Sequence, residues 1–144
     1  MSWDVSFMKF PNAIKELEDL NEDVIESMGN YNEVASILVE IFPDLDFTDP
    51  TWGVLERTDY SIEFNMPEED NVTSFMLHIR GNQGAIEALR SIHKRTGWKA
   101  VEGSEGILNL DLNPEKGLIE WQEYRNAMIN QIKTKKKKWY QFWK

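Results

Sequence analysis

The chain contains no cysteine and only two histidines among its 144 residues. The lack of cysteine excludes disulfides, thiolate metal sites and thiol nucleophiles. The two histidines, His78 and His93, are separated in the sequence, and the surrounding carboxylates do not follow a known metal-ligand spacing. We therefore predict no metal site and no cofactor.

Long apolar runs and linkers are also missing. No segment approaches the ~18 apolar residues that span a bilayer, and no basic start is followed by an apolar core of signal-peptide length. We expect a soluble, cytoplasmic protein. No internal repeat or Gly/Ser-rich linker divides the chain, so we predict an α+β domain at residues 1–113. Residues 114–144 are predicted to form a C-terminal helix with a basic-aromatic tail, which either belongs to that domain or projects from it.

Aromatic and acidic residues, in contrast, are abundant. Seven Phe, six Trp and four Tyr provide large side chains for a core. The net charge of −9 hides an asymmetry, because residues 1–132 contain ten of the 16 basic residues and all 25 acidic ones, a net charge of −15. A body this acidic repels nucleic acids and attracts basic proteins. Acidity that serves only solubility is the simpler alternative. We predict a protein partner, for which a basic surface is one possibility, and no nucleic-acid partner.

The spacing of apolar residues divides the chain into strands and helices. Alternation predicts strands at 3–10, 51–58, 60–66, 74–81, 98–103 and 106–112, and helical spacing predicts helices at 32–42 and 84–96. The first helix has Asn30 or Asn32 as its N-cap, and the second ends at Gly97 in a left-handed conformation. The stretch PDLDFTDP, residues 43–50, is predicted to form turns because Asp and Pro favour local bends.

This order of elements predicts an α+β fold. We expect an antiparallel sheet of four to six strands with two helices on one face, a ferredoxin-like topology as the nearest named relative, and a C-terminal helix. If the apolar sides of strands 60–66 and 74–81 both face the core, Ile62 lies opposite Ile79 and Phe64 lies opposite Leu77.

The same register creates a candidate polar face from Glu63, His78 and Arg80. It places Glu63 opposite His78 and Ser61 opposite Arg80, and a carboxylate next to a histidine can orient the imidazole. However, Ser61 is diagonal to His78 and is not in a nucleophile elbow, so no catalytic residue is predicted. The open alternatives are a solvated sheet face and a binding surface.

Four short segments carry a resemblance to a known family. They are SWDV at 2–5, FTDPTWG at 47–53, SIEFN at 61–65 and SFMLHIRG at 74–81. Together they resemble a family of small, mostly uncharacterised bacterial proteins that open with a Ser-Trp-Asp strand. The resemblance implies a cytoplasmic bacterial domain and no particular reaction.

An acidic loop in PEEDNVT, residues 67–73, is the second candidate site. Its residues Glu68, Glu69 and Asp70 add to the strongly negative body. We predict a non-enzymatic bacterial protein-interaction domain, of which an immunity- or antitoxin-type inhibitor of a basic partner is the most concrete form. The alternative is a small-molecule-binding protein or an enzyme that uses the polar face.

The last twelve residues, KTKKKKWYQFWK, are the third candidate. Trp139 continues the apolar stripe of the predicted C-terminal helix, and lysines stabilise the end of a helix dipole. A packed or self-associating helix end is therefore favoured over a membrane or partner contact, which basic and aromatic residues can also make. The residues that would make such contacts are Lys135, Lys136, Lys137, Lys138, Trp139 and Trp143. The pattern does not predict an oligomeric state.

Overall fold

The structure, a computed structural model, describes residues 2–81, 84–103 and 106–110, together with Ile119, Gln122 and Glu123. These residues form two α-helices and a seven-stranded antiparallel sheet, which confirms the α+β class and adds one strand to the predicted maximum. In chain order the elements are β1 (Trp3–Met8), a 3-10 helix (Leu17–Asp19), α1 (Tyr31–Ile41), β2 (Asp46–Asp49), β3 (Trp52–Glu56), β4 (Tyr60–Asn65), β5 (Ser74–Gly81), α2 (Ala85–Thr96), β6 (Lys99–Glu102) and β7 (Gly106–Ile107).

The strand absent from the predicted set is β2, which lies in the stretch expected to form only turns. Asp46 is opposite Val54 and Asp49 is opposite Trp52, so β2 and β3 form a hairpin closed by residues 50–51. Three of the four residues of β2 are exposed, and the strand is at the edge of the sheet. With Phe47 as its one partly buried residue, this strand has no apolar alternation to reveal it, and its carboxylates discourage pairing with another chain.

The strands lie in the order β2-β3-β4-β5-β1-β6-β7, which places β1 inside the sheet. The predicted register of β4 and β5 is confirmed, with Ile62 opposite Ile79 and Phe64 opposite Leu77. On β1, Val5 is opposite Leu77 and its inward-facing neighbours Trp3 and Phe7 are also buried. One face of the sheet therefore carries the core.

Both helices cover that same face. Apolar side chains of α1 and α2 join the inward side chains of the sheet in one core, and the main helix contributors are Val34, Leu38, Ile86, Leu89 and Ile92. Helix α2 ends as predicted: Gly97 has φ +77°, and its N–H donates to the carbonyl of His93 at 2.7 Å. Trp98 is buried directly after this turn.

The N-cap of α1 is Asn30, which resolves the two predicted alternatives. Its side chain accepts from the N–H of Glu33 at 2.9 Å, and the Glu33 carboxylate accepts from the N–H of Asn30 at 3.1 Å. Each group satisfies an N–H that has no partner within the helix.

We expect Asn30→Ala to lower the free energy of unfolding by about 1 kcal/mol, because alanine cannot accept from the N–H of Glu33. The other bond of the capping box is donated by the main-chain N–H of residue 30, which alanine keeps. Asn32→Ala is the matched control: Asn32 is exposed inside the helix, where alanine is the better helix former. Urea denaturation of the two variants measures the difference. An equal loss in both would contradict the role of the capping box.

At the C-terminal side, the predicted strand 106–112 is confirmed at Gly106–Ile107, residues 108–110 are not in a strand, and residues 111–112 lie outside the described residues. Of the predicted C-terminal helix, the three described residues have helical backbone, and Gln122 Nε2 donates to the carbonyl of Gly81 at 3.0 Å. The remainder of 114–144 lies outside the described residues. Within the described part of the chain, no helix is long and apolar enough to cross a membrane.

Candidate functional site

The polar face of the sheet is built around His78. Its Nδ1 donates to Asp4 Oδ1 at 2.8 Å, and its ring stacks on Trp52 with 5.4 Å between centroids and 24° between planes. Asp4 lies opposite His78 on the neighbouring strand β1. The imidazole is thus oriented by a carboxylate on one side and by an aromatic ring on the other.

Glu63 is directly opposite His78, as the sequence predicts, but its carboxylate pairs with another residue. Glu63 Oε1 accepts from Arg80 Nη1 at 2.5 Å, and both side chains are partly exposed. The three predicted residues therefore share one face in the predicted register, and the carboxylate that orients the imidazole is that of Asp4. A full positive charge within reach attracts the carboxylate of Glu63 more strongly than an imidazole does.

The arrangement lacks the geometry of a nucleophile. Ser2 is the serine bonded to this cluster, and its Oγ donates to Asp4 Oδ1 at 2.5 Å, so it contacts the carboxylate and not the imidazole. A catalytic serine would need a bond to the histidine. Glu63, His78 and Arg80 line neither the cleft of about 730 Å³ nor the cleft of about 220 Å³ that described residues form elsewhere.

The acidic loop between β4 and β5 is fixed to the start of α1 by its main chain. Met28 N–H donates to Val72 O at 2.8 Å, Val72 N–H donates to Gly29 O at 2.8 Å, and Tyr31 N–H donates to Glu69 O at 3.0 Å. The Val72 side chain is fully buried. The backbone of the loop is therefore held in place while its carboxylates remain exposed.

We call the resulting surface the acidic face: Tyr31 surrounded by Asp49, Glu68, Glu69 and Asp70. Tyr31 packs edge-on against Phe47, with 6.4 Å between ring centroids. Burial raises the pKa of Tyr31 above its ordinary value of 10.0, and the negative charges of Glu68 and Asp49 raise it further. The loop residues and the start of α1 line a cleft of about 220 Å³.

The acidic face lies at the N-terminus of α1, where the helix dipole favours negative charge. Asp46, at the start of β2, adds a further exposed carboxylate on the same strand as Asp49. Its pKa is lowered by hydrogen bonds from the side chain and the backbone N–H of Thr48. Carboxylates from one loop and one edge strand are thus brought together by tertiary structure.

The phenol of Tyr31 provides a direct test of this geometry. We expect Glu68→Gln to lower the pKa of Tyr31 towards its ordinary value, since it removes one of the negative charges that raise the pKa. Asp70→Asn, in the same loop, is the control that should have a smaller effect. An NMR titration of tyrosines labelled at Cζ follows each phenol separately, and equal pKa changes in both variants would contradict the placement of Glu68.

The sign of the linked stability change follows from the raised pKa. Because folding favours the protonated phenol, Tyr31 contributes stability that is complete below its unfolded pKa near 10 and is lost as pH rises through the folded pKa. The Glu68→Gln variant should therefore lose less stability over this alkaline range than the unmodified chain does.

Sequence reasoning did not identify Asp4, Trp52, Tyr31 or Asp49 as site residues. The alternation of β1 shows that Asp4 faces away from the core, but only the strand order brings it next to His78. Tyr31 and Asp49 have no motif of their own. The six tail residues named above, Lys135 to Lys138 with Trp139 and Trp143, lie outside the described residues.

Comparisons of the chain with protein-family models, with curated proteins and with solved structures found no match. The resemblance to the bacterial family with a Ser-Trp-Asp strand therefore stays a prediction, and the candidate sites are interpreted from their own geometry and charge.

Proposed function

We propose that this chain is a non-enzymatic protein-interaction domain that binds a basic partner through the acidic face. The observation that carries the proposal is the fixed position of the acidic loop: the main-chain carbonyl of Glu69 accepts from the N–H of Tyr31, and Val72 is hydrogen-bonded through its main chain and buried beneath the loop. A loop whose backbone is already fixed loses little backbone freedom on binding, and this reduces the entropic cost of association.

The composition of the acidic face matches the chemistry of a protein interface. Tyrosine is among the residues that contribute most to binding energy when they lie at the centre of a contact, and here Tyr31 is partly buried beside Phe47. The surrounding carboxylates would pair with Lys or Arg side chains and accelerate the encounter with a basic surface. The charge of −15 over residues 1–132 acts in the same direction.

An immunity- or antitoxin-type inhibitor of bacterial origin is the specific form that we propose for this domain. Such an inhibitor needs a rigid acidic surface that covers the basic site of its target.

We also propose that the sheet is related to the ferredoxin-like fold. The order β4-β5-β1-β6, with α1 and α2 on one face, matches the arrangement of that fold, extended by the β2-β3 hairpin and by β7.

The alternative, small-molecule binding or catalysis at the polar face, has less support. Glu63 is paired with Arg80, and His78 is paired with Asp4. This ion pair and this hydrogen bond occupy the groups that would otherwise recognise a ligand.

Photo-crosslinking from position 69 in the producing cell identifies the partner. The purified complex is then compared with that of the triple variant Glu68→Lys, Glu69→Lys, Asp70→Lys. We expect the reversal to weaken binding about 10- to 100-fold, because three favourable charge contacts become repulsive. Raising the salt concentration should weaken the unmodified complex and have less effect on the variant.

The matched control reverses Glu16, Glu18 and Asp19, three exposed carboxylates in or beside the 3-10 helix. This segment lies near Gly106 of β7, whereas the acidic face lies near β2, and these strands are opposite edges of the sheet. The change in net charge is identical in the two triple variants. An equal loss of affinity in both would contradict a specific role for the acidic face.

A further inference from the structure

A cleft formed by described residues at the end of α2 has a volume of about 730 Å³. Three lysines line it, together with apolar side chains of the 12–15 and 107–110 segments; we call it the lysine cleft. Its main lining residues are Lys15, Lys94, Lys99, Ile14, Ile107 and Leu110. Small-molecule sites have volumes of about 300–1,000 Å³ and combine apolar walls with a few polar groups.

The ion pairing of the described residues makes this cleft distinctive. All four described arginines are paired with a carboxylate: Arg57, Arg80, Arg90 and Arg95. Among the described residues, none of the four lysines has such a pair, and three of those four line the cleft. Positive charge that is not neutralised is thus concentrated at one concave site of an otherwise acidic body.

Lys94 and Lys99 are held differently. Lys94 lies in the last turn of α2, where a cation stabilises the helix dipole, so its position has a structural explanation. Lys99 Nζ donates to Asn12 Oδ1 at 2.5 Å and lies 5.9 Å from the centre of the Phe10 ring. These partners of Lys99 are neutral and leave its charge uncompensated.

The walls of the cleft are fixed by hydrogen bonds. Leu108 N–H donates to Ala100 O at 2.9 Å, and Arg90 Nε donates to Leu110 O at 3.1 Å, which hold one wall. On the opposite side, His93 Nδ1 donates to the carbonyl of Trp98 at 2.7 Å. Since a carbonyl only accepts, Nδ1 carries the proton. A cleft with fixed walls is a preformed site.

We propose that the lysine cleft binds a small molecule with an anionic head, a carboxylate or a phosphate monoester, and a short apolar body. The ammonium groups of Lys15 and Lys99 contact the head, and Ile14, Ile107 and Leu110 contact the body. The general repulsion of anions by the acidic chain makes a local cationic cleft necessary for such a ligand. This site is separate from the acidic face and does not depend on the proposed function.

The test uses NMR titration of the full chain labelled with ¹⁵N. The probes are octanoate, octyl phosphate and, as the neutral match, octanamide. We expect both anions to shift the amide signals of Lys15, Lys99 and Ile107 in a saturable manner, with octanamide about tenfold weaker. The tighter of the two anions identifies the head group. Equal affinity for octanoate and octanamide, or saturable shifts confined to another surface, would overturn the proposal.

Substitutions of single lysines test which ammonium groups bind the anionic head. Lys15→Gln and Lys99→Gln should each weaken octanoate binding about two- to five-fold. Lys9→Gln, which changes an exposed lysine outside the cleft, should leave the affinity unchanged. Because Lys99 also contacts Asn12, thermal unfolding is measured for each variant to check that it is folded. If Lys99→Gln is unstable, the Lys15→Gln variant, which changes an exposed residue, still tests the proposal. An equal loss in Lys9→Gln would also overturn the proposal.

Discussion

Replacing Gly81 with alanine is expected to destabilise the folded chain by about 3–5 kcal/mol. Gly81 ends β5 with φ +112°, a conformation that residues with a Cβ rarely adopt. A Cβ on this residue would also lie 2.4 Å from the carbonyl oxygen of Asp59 and 2.6 Å from the Cα of Tyr60. Both obstacles are backbone atoms, so relief requires β4 and β5 to move apart.

Gly103→Ala is the matched control for this prediction. Gly103 has no atom within 4 Å of an added Cβ and no positive φ, so alanine should be neutral there or stabilising by about 0.4–1 kcal/mol. Urea denaturation of both variants, with the m-value checked for two-state behaviour, gives the comparison. A loss below about 1 kcal/mol in Gly81→Ala would contradict the close approach of β4.

Replacing Phe75 with alanine is expected to cost about 3–5 kcal/mol. Phe75 stacks on Phe7 at 5.6 Å and on Phe64 at 6.5 Å, and it packs edge-on against Trp98 at 5.8 Å between centroids. These rings come from β1, β4 and the segment after α2. Truncation would leave a cavity at the point where separate parts of the chain meet, and the cost rises with the volume of the cavity that remains.

Met76→Ala is the control for Phe75→Ala, because Met76 is the next residue of the same strand and its side chain faces the opposite side of the sheet. Met76 is 36% exposed, so its truncation should change the free energy of unfolding by no more than about 0.5 kcal/mol. Similar losses in the two variants would contradict the assignment of the core to one face.

Much of the fold was predictable because the spacing of apolar residues within short segments determines it. The alternation of Ile62 and Phe64 on β4, and of Leu77 and Ile79 on β5, sets which residues face the core, and two core-facing sides can pair in few registers. The helix boundaries were correct to within one residue at each end. Strand β2 was missed because Asp46 and Asp49 are exposed at a sheet edge, where burial imposes no pattern.

The candidate sites were less predictable. Glu63, His78 and Arg80 were placed correctly on one face, yet the partner of His78 is Asp4, about 70 residues away in sequence. Nothing in the residues near Glu68 indicates that its loop is bonded to the start of α1 and lies beside Tyr31. Such contacts follow from the packing of distant elements, which local periodicity does not describe.

The amino-acid sequence by itself determined both helices and every strand except β2, although it made β7 too long. It also determined the inward and outward sides of these strands, the β4-β5 register and the acidic character of the body. Apolar periodicity and turn chemistry act over a few residues, so they can be read without a structure. Only the tertiary structure decided that β1 lies between β5 and β6, that the acidic loop is fixed at α1, and that Lys15, Lys94 and Lys99 line one cleft. The physical reason is that the pattern of apolar residues determines which side of each strand faces the core. Which strand lies next to it depends on the packing of the whole chain around one core.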